Sequence, residues 1–215
     1  MRGLFITLEG IDGSGKSTQH LLLVEALRRK GVDALSTREP GGTEAGEEIR
    51  SMLSSHSTTL APATELLLIV AARAQHVEQV IRPAIDAGRT VVSDRYTDST
   101  VAFQGYGRGL DLALIDDVNR FATGGLVPDL TILFDLDPSI ARRRLDARRK
   151  DRAASDSDLS YFDREEAAFH ERVRDGYLRL AAKDPLRFRL VDASGTIEQA
   201  REQVEAVISN LKFEV

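Results

Sequence analysis

Residues Gly10-Ile11-Asp12-Gly13-Ser14-Gly15-Lys16-Ser17 fit the pattern Gly-x-x-x-x-Gly-Lys-Ser/Thr without a gap. That spacing makes a phosphate cradle. The glycines let successive backbone N–H groups turn inward onto phosphate oxygens, and the N-terminus of the following helix adds its positive dipole end. Lys16 can reach terminal phosphates, and the Ser17 hydroxyl suits Mg²⁺. Phosphoryl transfer asks a protein for little covalent work: it must hold two phosphates in line, neutralise developing charge and exclude water. The chain carries further parts for that task. In Asp94-Arg95 a carboxylate stands beside the planar donor fork of an arginine. In Thr37-Arg38-Glu39-Pro40-Gly41-Gly42-Thr43, Arg38 can meet a second anion, and the turn lets backbone approach a ligand. Arg73 is flanked by Ile69, Val70, Ala71 and Ala72, which points to a buried anion partner. Each signal has a plainer alternative in a glycine turn, a surface ion pair or a solvated arginine.

These residues need a scaffold, and the hydropathy pattern supplies one. Leu4-Phe5-Ile6-Thr7-Leu8 reads as a buried strand, and Leu21, Leu22, Val24 and Leu27 recur at helical spacing through Thr18 to Arg29. Further strands are predicted at Ala34 to Thr37, Arg89 to Asp94, Leu130 to Leu136 and Phe188 to Val191. Helices are predicted at Thr43 to Leu53, Pro62 to Ala87, Leu112 to Ala122, Pro138 toward Arg149, Asp163 to Lys183 and Ile197 to Leu211. Five strands alternating with helices indicate an α/β fold, a parallel sheet covered on both faces. The phosphate loop then follows strand one, and Asp94 ends a strand at the carboxyl edge, where open α/β folds bind ligands.

The chain has 215 residues, 42% apolar and 29% charged, with a formal charge of −5. This fits a single domain over residues 1–215 and argues against a broad basic surface for nucleic acid. The longest apolar run, Leu66 to Ala72, is too short to span a membrane. With no cysteine and no room for a signal peptide before strand one, the expectation is a cytoplasmic enzyme. Arg148 to Ser160 is polar, charged and without amphipathic period, so it reads as a loop or frayed helix end. Loops of that length inside a compact domain are usually functional.

In this order the stretches resemble the bacterial thymidylate kinase family, of the P-loop nucleoside monophosphate kinases. The resemblance rests on Phe5 to Thr18, Thr37 to Thr43 and Ala72-Arg73-Ala74-Gln75-His76. It continues through Asp94-Arg95-Tyr96-Thr97-Asp98-Ser99-Thr100, Gln104 to Gly109, Val127 to Thr131 and Phe169 to Arg174. It implies transfer of the ATP γ-phosphoryl to dTMP with Mg²⁺, by a homodimer whose candidate interface is the long helix from Pro62. ATP would lie against Gly10, Ile11 and Asp12, the segment Gly13 to Thr18 (with Ser14, Gly15, Lys16 and Ser17), and Ala193 near adenine. Asp12 would face the acceptor, and Arg38, Glu39, Pro40, Arg73 and Arg95 would surround dTMP. Ser99, Thr100 and Gln104 would line the base pocket, and Phe103 would pack beneath the deoxyribose. Ser17 and Asp94 would hold Mg²⁺. Lys16, Asp12 and Arg95 would be catalytic.

Members with glycine at the Gly13 position carry a catalytic arginine in a lid, here about residues 148–160, which points to Arg148, Arg149 or Arg152. Two departures stand out. Ile69 occupies the position where the family stacks a phenylalanine on thymine, and Ser160-Tyr161 replaces an Asp-Arg pair of the lid. The residues alone leave open a kinase for another nucleoside monophosphate, or a nucleotide-dependent switch. The chain shows no Asn-Lys-x-Asp stretch for reading guanine.

Overall fold

The protein is described from a computed structural model over residues 2–54, 60–151, 165–209 and 211. The central strand β1 (Phe5–Glu9) is buried along its whole length. It pairs in parallel with β3 (Thr90–Asp94) on one side and β4 (Leu130–Asp135) on the other. The edge strands are β2 (Ala34–Arg38) and β5 (Phe188–Asp192), giving the order β2-β3-β1-β4-β5, all parallel. The chain leaves β1 toward β2 and leaves β4 toward β5, in opposite directions, which opens a crevice at the carboxyl edge of the sheet.

Alternation along β1 sorts the helices onto two faces. Ile6 and Leu8 pack in one core with Leu23, Val24 and Leu27 of α1 (Lys16–Arg29) and Val204 and Ile208 of α9 (Ile197–Ser209). Phe5, Thr7 and Glu9 point the other way. Phe5 packs against Tyr96 and, through a second core, against Val77, Ile81 and Ile85. Those residues extend α3 (Pro62–His76) through π-helical turns at Val77–Ile81 into α4 (Arg82–Asp86), so the apolar stretch from Pro62 is one long helical run. Further helices are α2 (Glu44–Ser54), α6 (Leu112–Thr123), α7 (Pro138–Asp151) and α8 (Ala167–Lys183).

Two elements depart from the sequence expectation. The helix predicted from Asp163 begins at Ala167: Glu166 before it has an extended backbone, with φ of −68° and ψ of 157°, and Glu165 pairs with Arg108 at 2.7 Å. Thr97 to Gly107, for which no element was predicted, is helical: α5 (Thr97–Thr100) runs directly into π-helical turns at Val101–Gly107. Its Ser99, Thr100 and Gln104 are polar yet buried, so their partners lie elsewhere in the fold. Of the segment expected as a loop, residues 148–151 continue α7 and 152–160 lie outside the described residues.

Candidate active site

The phosphate loop joins β1 to α1. At Gly13 φ is 81°, and a Cβ there would sit 2.8 Å from the Ala141 carbonyl oxygen on α7. A side chain at this position would have to push α7 away, so the loop brings no arginine of its own to the phosphates. Asp12, Gly13, Ser14, Gly15, Lys16, Ser17 and Thr18 line one wall of a cleft of about 1590 Å³. Arg38, Glu39, Pro40, Asp94 and Arg95 line it from the ends of β2 and β3, and Ala193 and Arg144 from the side of β5 and α7. Gly10 and Ile11 have a different duty. Their carbonyl oxygens accept from Arg95 Nη1 at 3.1 Å and from Lys16 Nζ at 3.0 Å. Lys16 is buried, and burial first, then the neighbouring Arg95, lowers its pKa against the pull of Asp12, Asp94 and Glu9.

A second pocket of about 30 Å³ shares Glu39, Pro40, Ile69 and Arg95 with the cleft, and Arg73, Ser99, Thr100, Phe103 and Gln104 complete its lining. Its volume is about that of one or two waters, so a planar base enters only as side chains part. Nine of the eleven residues that the resemblance assigns to dTMP thus meet in one place, and Asp12 and Arg38 face the adjoining cleft.

Arg73 is 1% exposed and held on every side. Its Nε donates to Glu39 Oε2 at 2.7 Å, its Nη1 to Thr100 Oγ1 at 2.9 Å and Asn119 Oδ1 at 2.6 Å, and its Nη2 to the Tyr96 carbonyl at 3.0 Å. The apolar flanks of this arginine did imply a buried anion, and Glu39 is that anion. Its other oxygen lies 3.0 Å from His76 Nδ1. Gln104 Nε2 donates to Glu65 Oε1 at 2.7 Å, and Arg108 pairs with the same buried carboxylate. Arg38 stays exposed, joined to Glu47 at 2.8 Å.

Arg95 has φ of 74°, a left-handed conformation that costs a non-glycine residue of order 1 kcal/mol. Its surroundings hold it there. The Arg95 N–H donates to the Leu8 carbonyl at 3.0 Å, and Ser93 Oγ donates to the Arg95 carbonyl at 2.8 Å. Nη2 pairs with Asp12 Oδ1 at 2.5 Å, and the guanidinium lies 4.7 Å from the centre of the Phe103 ring. Burial works against its charge, but Asp12, Tyr177, Asp94 and Glu9 outweigh burial and raise its pKa.

Ser17 Oγ donates to Asp94 Oδ2 at 2.7 Å, while Asp94 Oδ1 is buried without a protein partner among the described residues. A hydroxyl beside a carboxylate with one oxygen to spare is the donor set that a hard divalent cation takes next to phosphates. Arg148 and Arg149 lie in the last turn of α7, and Arg152 lies outside the described residues. Sequence reasoning missed Arg144, whose Nη2 bonds the Ser194 and Gly195 carbonyls at 3.3 and 3.1 Å. It also missed Glu9, Glu65, Asn119 and Tyr177. A lone acid inside the apolar run of α3 was a readable sign of Glu65. Nothing local marked the other three.

The sequence model of the thymidylate kinase family matches residues 8–204. The chain belongs to the thymidylate kinase family. It is 47% identical over 209 residues to a thymidylate kinase of Solidesulfovibrio magneticus, covering 97% of this chain and all of that one. It is 50% identical to one from Clavibacter sepedonicus, covering 96% and 94%. The crystal structure of thymidylate kinase from Ehrlichia chaffeensis superposes with a TM-score of 0.76 at 35% identity, over 97% of this chain and 99% of that one. The five-stranded parallel sheet is therefore the family fold, and the chain is an enzyme of this kinase class. Among the described residues no helix is long and apolar enough to cross a membrane.

Proposed function

We propose that this protein transfers the γ-phosphoryl group of ATP to dTMP, giving dTDP, and that it does so as a single cytoplasmic domain. The observation that supports this most is the junction of the two cavities at Arg95, between a phosphate loop and a small pocket built from Glu39, Arg73, Thr100 and Phe103. The donor phosphates lie along Gly13 to Thr18, with Lys16 on the terminal ones and Ala193 bordering adenine. Arg38 and Arg95 take the acceptor phosphate, and Asp12 faces it across the loop. Ser17 and Asp94 would hold Mg²⁺, which when bound would neutralise charge developing on the donor phosphates. Phe103 packs beneath the deoxyribose, and Thr100, Arg73 and Gln104 bound the base. A coupled assay with ATP, Mg²⁺ and each nucleoside monophosphate should give the highest kcat/KM for dTMP. A higher value for dUMP or dCMP would overturn the substrate, and ATP turnover without any monophosphate would favour a switch.

Ile69 is buried and lines both cavities. It gives a base apolar contact but no π face. Base–aromatic stacking is worth roughly 1–3 kcal/mol, so Ile69→Phe should lower the dTMP KM by about fivefold or more. An unchanged KM means the isoleucine contact already suffices. Because Gly13 excludes a loop arginine, the charge on the transferred group falls to the lid. Alanine at Arg148, Arg149 and Arg152 in turn should lower kcat by at least about tenfold, roughly 1.4 kcal/mol, at one of them. If all three retain kcat, the lid-arginine assignment fails.

The exposed Leu67 of α3 and Leu114 and Phe121 of α6, on helices that pack together, support a homodimer. Sedimentation should give twice the chain mass, and Phe121→Asp should halve it.

A further inference from the structure

Glu9 ends β1 immediately before the phosphate loop, is wholly buried, and lines neither the cleft nor the second pocket. A carboxylate there is costly unless donors surround it, and three converge. Tyr96 N–H donates to Oε1 at 2.8 Å, while Ser99 Oγ and Tyr177 OH donate to Oε2 at 2.5 and 2.8 Å. All three lead to Arg95. The two hydroxyls accept from Arg95 Nη1 at 3.0 and 3.2 Å, and Tyr96 follows Arg95 at its left-handed backbone. We propose that Glu9 is a positioning residue for Arg95, holding the guanidinium through Ser99 and Tyr177 and the backbone through Tyr96. The inference rests on Arg95 meeting the acceptor phosphate. Asp12, the direct partner, lines the cleft and is open to a ligand. Glu9 is the counter-charge that a ligand cannot draw away.

Burial pushes the Glu9 carboxyl up to about 7, with Asp98 adding to the rise and Arg95, Ser99 and Tyr177 opposing it. Lys16 of α1, Asp12 of the loop, Asp94 at the end of β3 and the Asp98–Arg187 pair also face this region. A carboxyl raised from 4.5 favours the fold while protonated, and that contribution is lost as pH rises through about 7. The carboxyl is therefore about half ionised at pH 7, and its full charge opposite Arg95 is present only above that, where it costs the fold stability.

Glu9→Gln keeps the shape and removes the charge. The dTMP KM should rise about tenfold and the ATP KM should stay within about twofold, with Tm at pH 8 no lower than wild type. The Tm of the variant minus that of wild type should grow from pH 5 to pH 8. On an Arg95→Ala background Glu9→Gln should add less than about twofold, because coupled residues are not additive. Tyr177→Phe removes one hydroxyl and should raise the dTMP KM in the same Arg95-dependent way, which carries the test if Glu9→Gln does not fold. An unchanged dTMP KM in folded Glu9→Gln, or losses that multiply with Arg95→Ala, overturns the proposal. Failure of the Arg95 assignment would show separately, as an Arg95→Ala variant with the wild-type dTMP KM, and would overturn both readings.

Discussion

Lys16→Met should lower kcat by about a thousandfold or more, roughly 4 kcal/mol of transition-state stabilisation, with little change in Tm. The Lys16 ammonium is buried and spends one of its three donors on the Ile11 carbonyl at 3.0 Å. Asp12, at 4.0 Å, is too far for a hydrogen bond. Two donors are left for phosphate oxygens. In a site shielded from water such donors stabilise developing charge far more than they would in solution. Methionine fills the same apolar path and removes the charge, so the loop keeps its packing. The fold loses one bond to a carbonyl, about 1 kcal/mol, while the reaction loses its fixed cation. Steady-state kinetics with saturating ATP and dTMP measure the difference. A loss below tenfold would remove Lys16 from the transfer step.

The elements around Lys16 were legible because their signals are local. An apolar pentapeptide, a glycine loop and an amphipathic helix follow one another within thirty residues, and the five strands announce themselves by apolar runs. Thr97 to Gly107 was not legible. Thr97, Asp98 and Ser99 look like a loop, and glycines at 105 and 107 weaken any helical reading. The segment is helical because tertiary partners satisfy its polar groups: Arg187 holds Asp98, Arg73 holds Thr100 and Glu65 holds Gln104. The same distinction separates Arg73 from Glu9. Apolar neighbours in sequence signalled that Arg73 needed an anion, though not that Glu39 supplies it. Glu9 looked like the polar end of a strand, and its donors come from residues 87 to 168 positions away. The starting point of α8 was not legible either: Glu165 and Glu166 have helix propensity, but Glu166 is extended and Glu165 pairs with the distant Arg108.

Arg95→Lys should be nearly as damaging as loss of the side chain, reducing kcat/KM for dTMP by on the order of a thousandfold, although the charge survives. The Arg95 guanidinium reaches four protein groups from two nitrogens: the Gly10 carbonyl, Ser99, Tyr177 and Asp12. Its guanidinium carbon also sits 4.7 Å from the centre of the Phe103 ring. A lysine ammonium is one strongly hydrated point on a flexible stem and cannot span those partners or hold a plane against the ring. If it follows Asp12, it abandons the Ser99–Tyr177 pair and leaves Glu9 without its opposite charge. If it stays on the hydroxyls, Asp12 turns unpaired into the cleft. Either choice misaligns the acceptor phosphate, and a displacement of about 1 Å is enough to cost a hundredfold in transfer. The left-handed backbone at this position is equally strained for both residues, so the substitution isolates the side chain. Near-normal dTMP kinetics in Arg95→Lys would mean that charge alone suffices at this position, and that the fork, the ring and the buried carboxylate behind them serve only the fold.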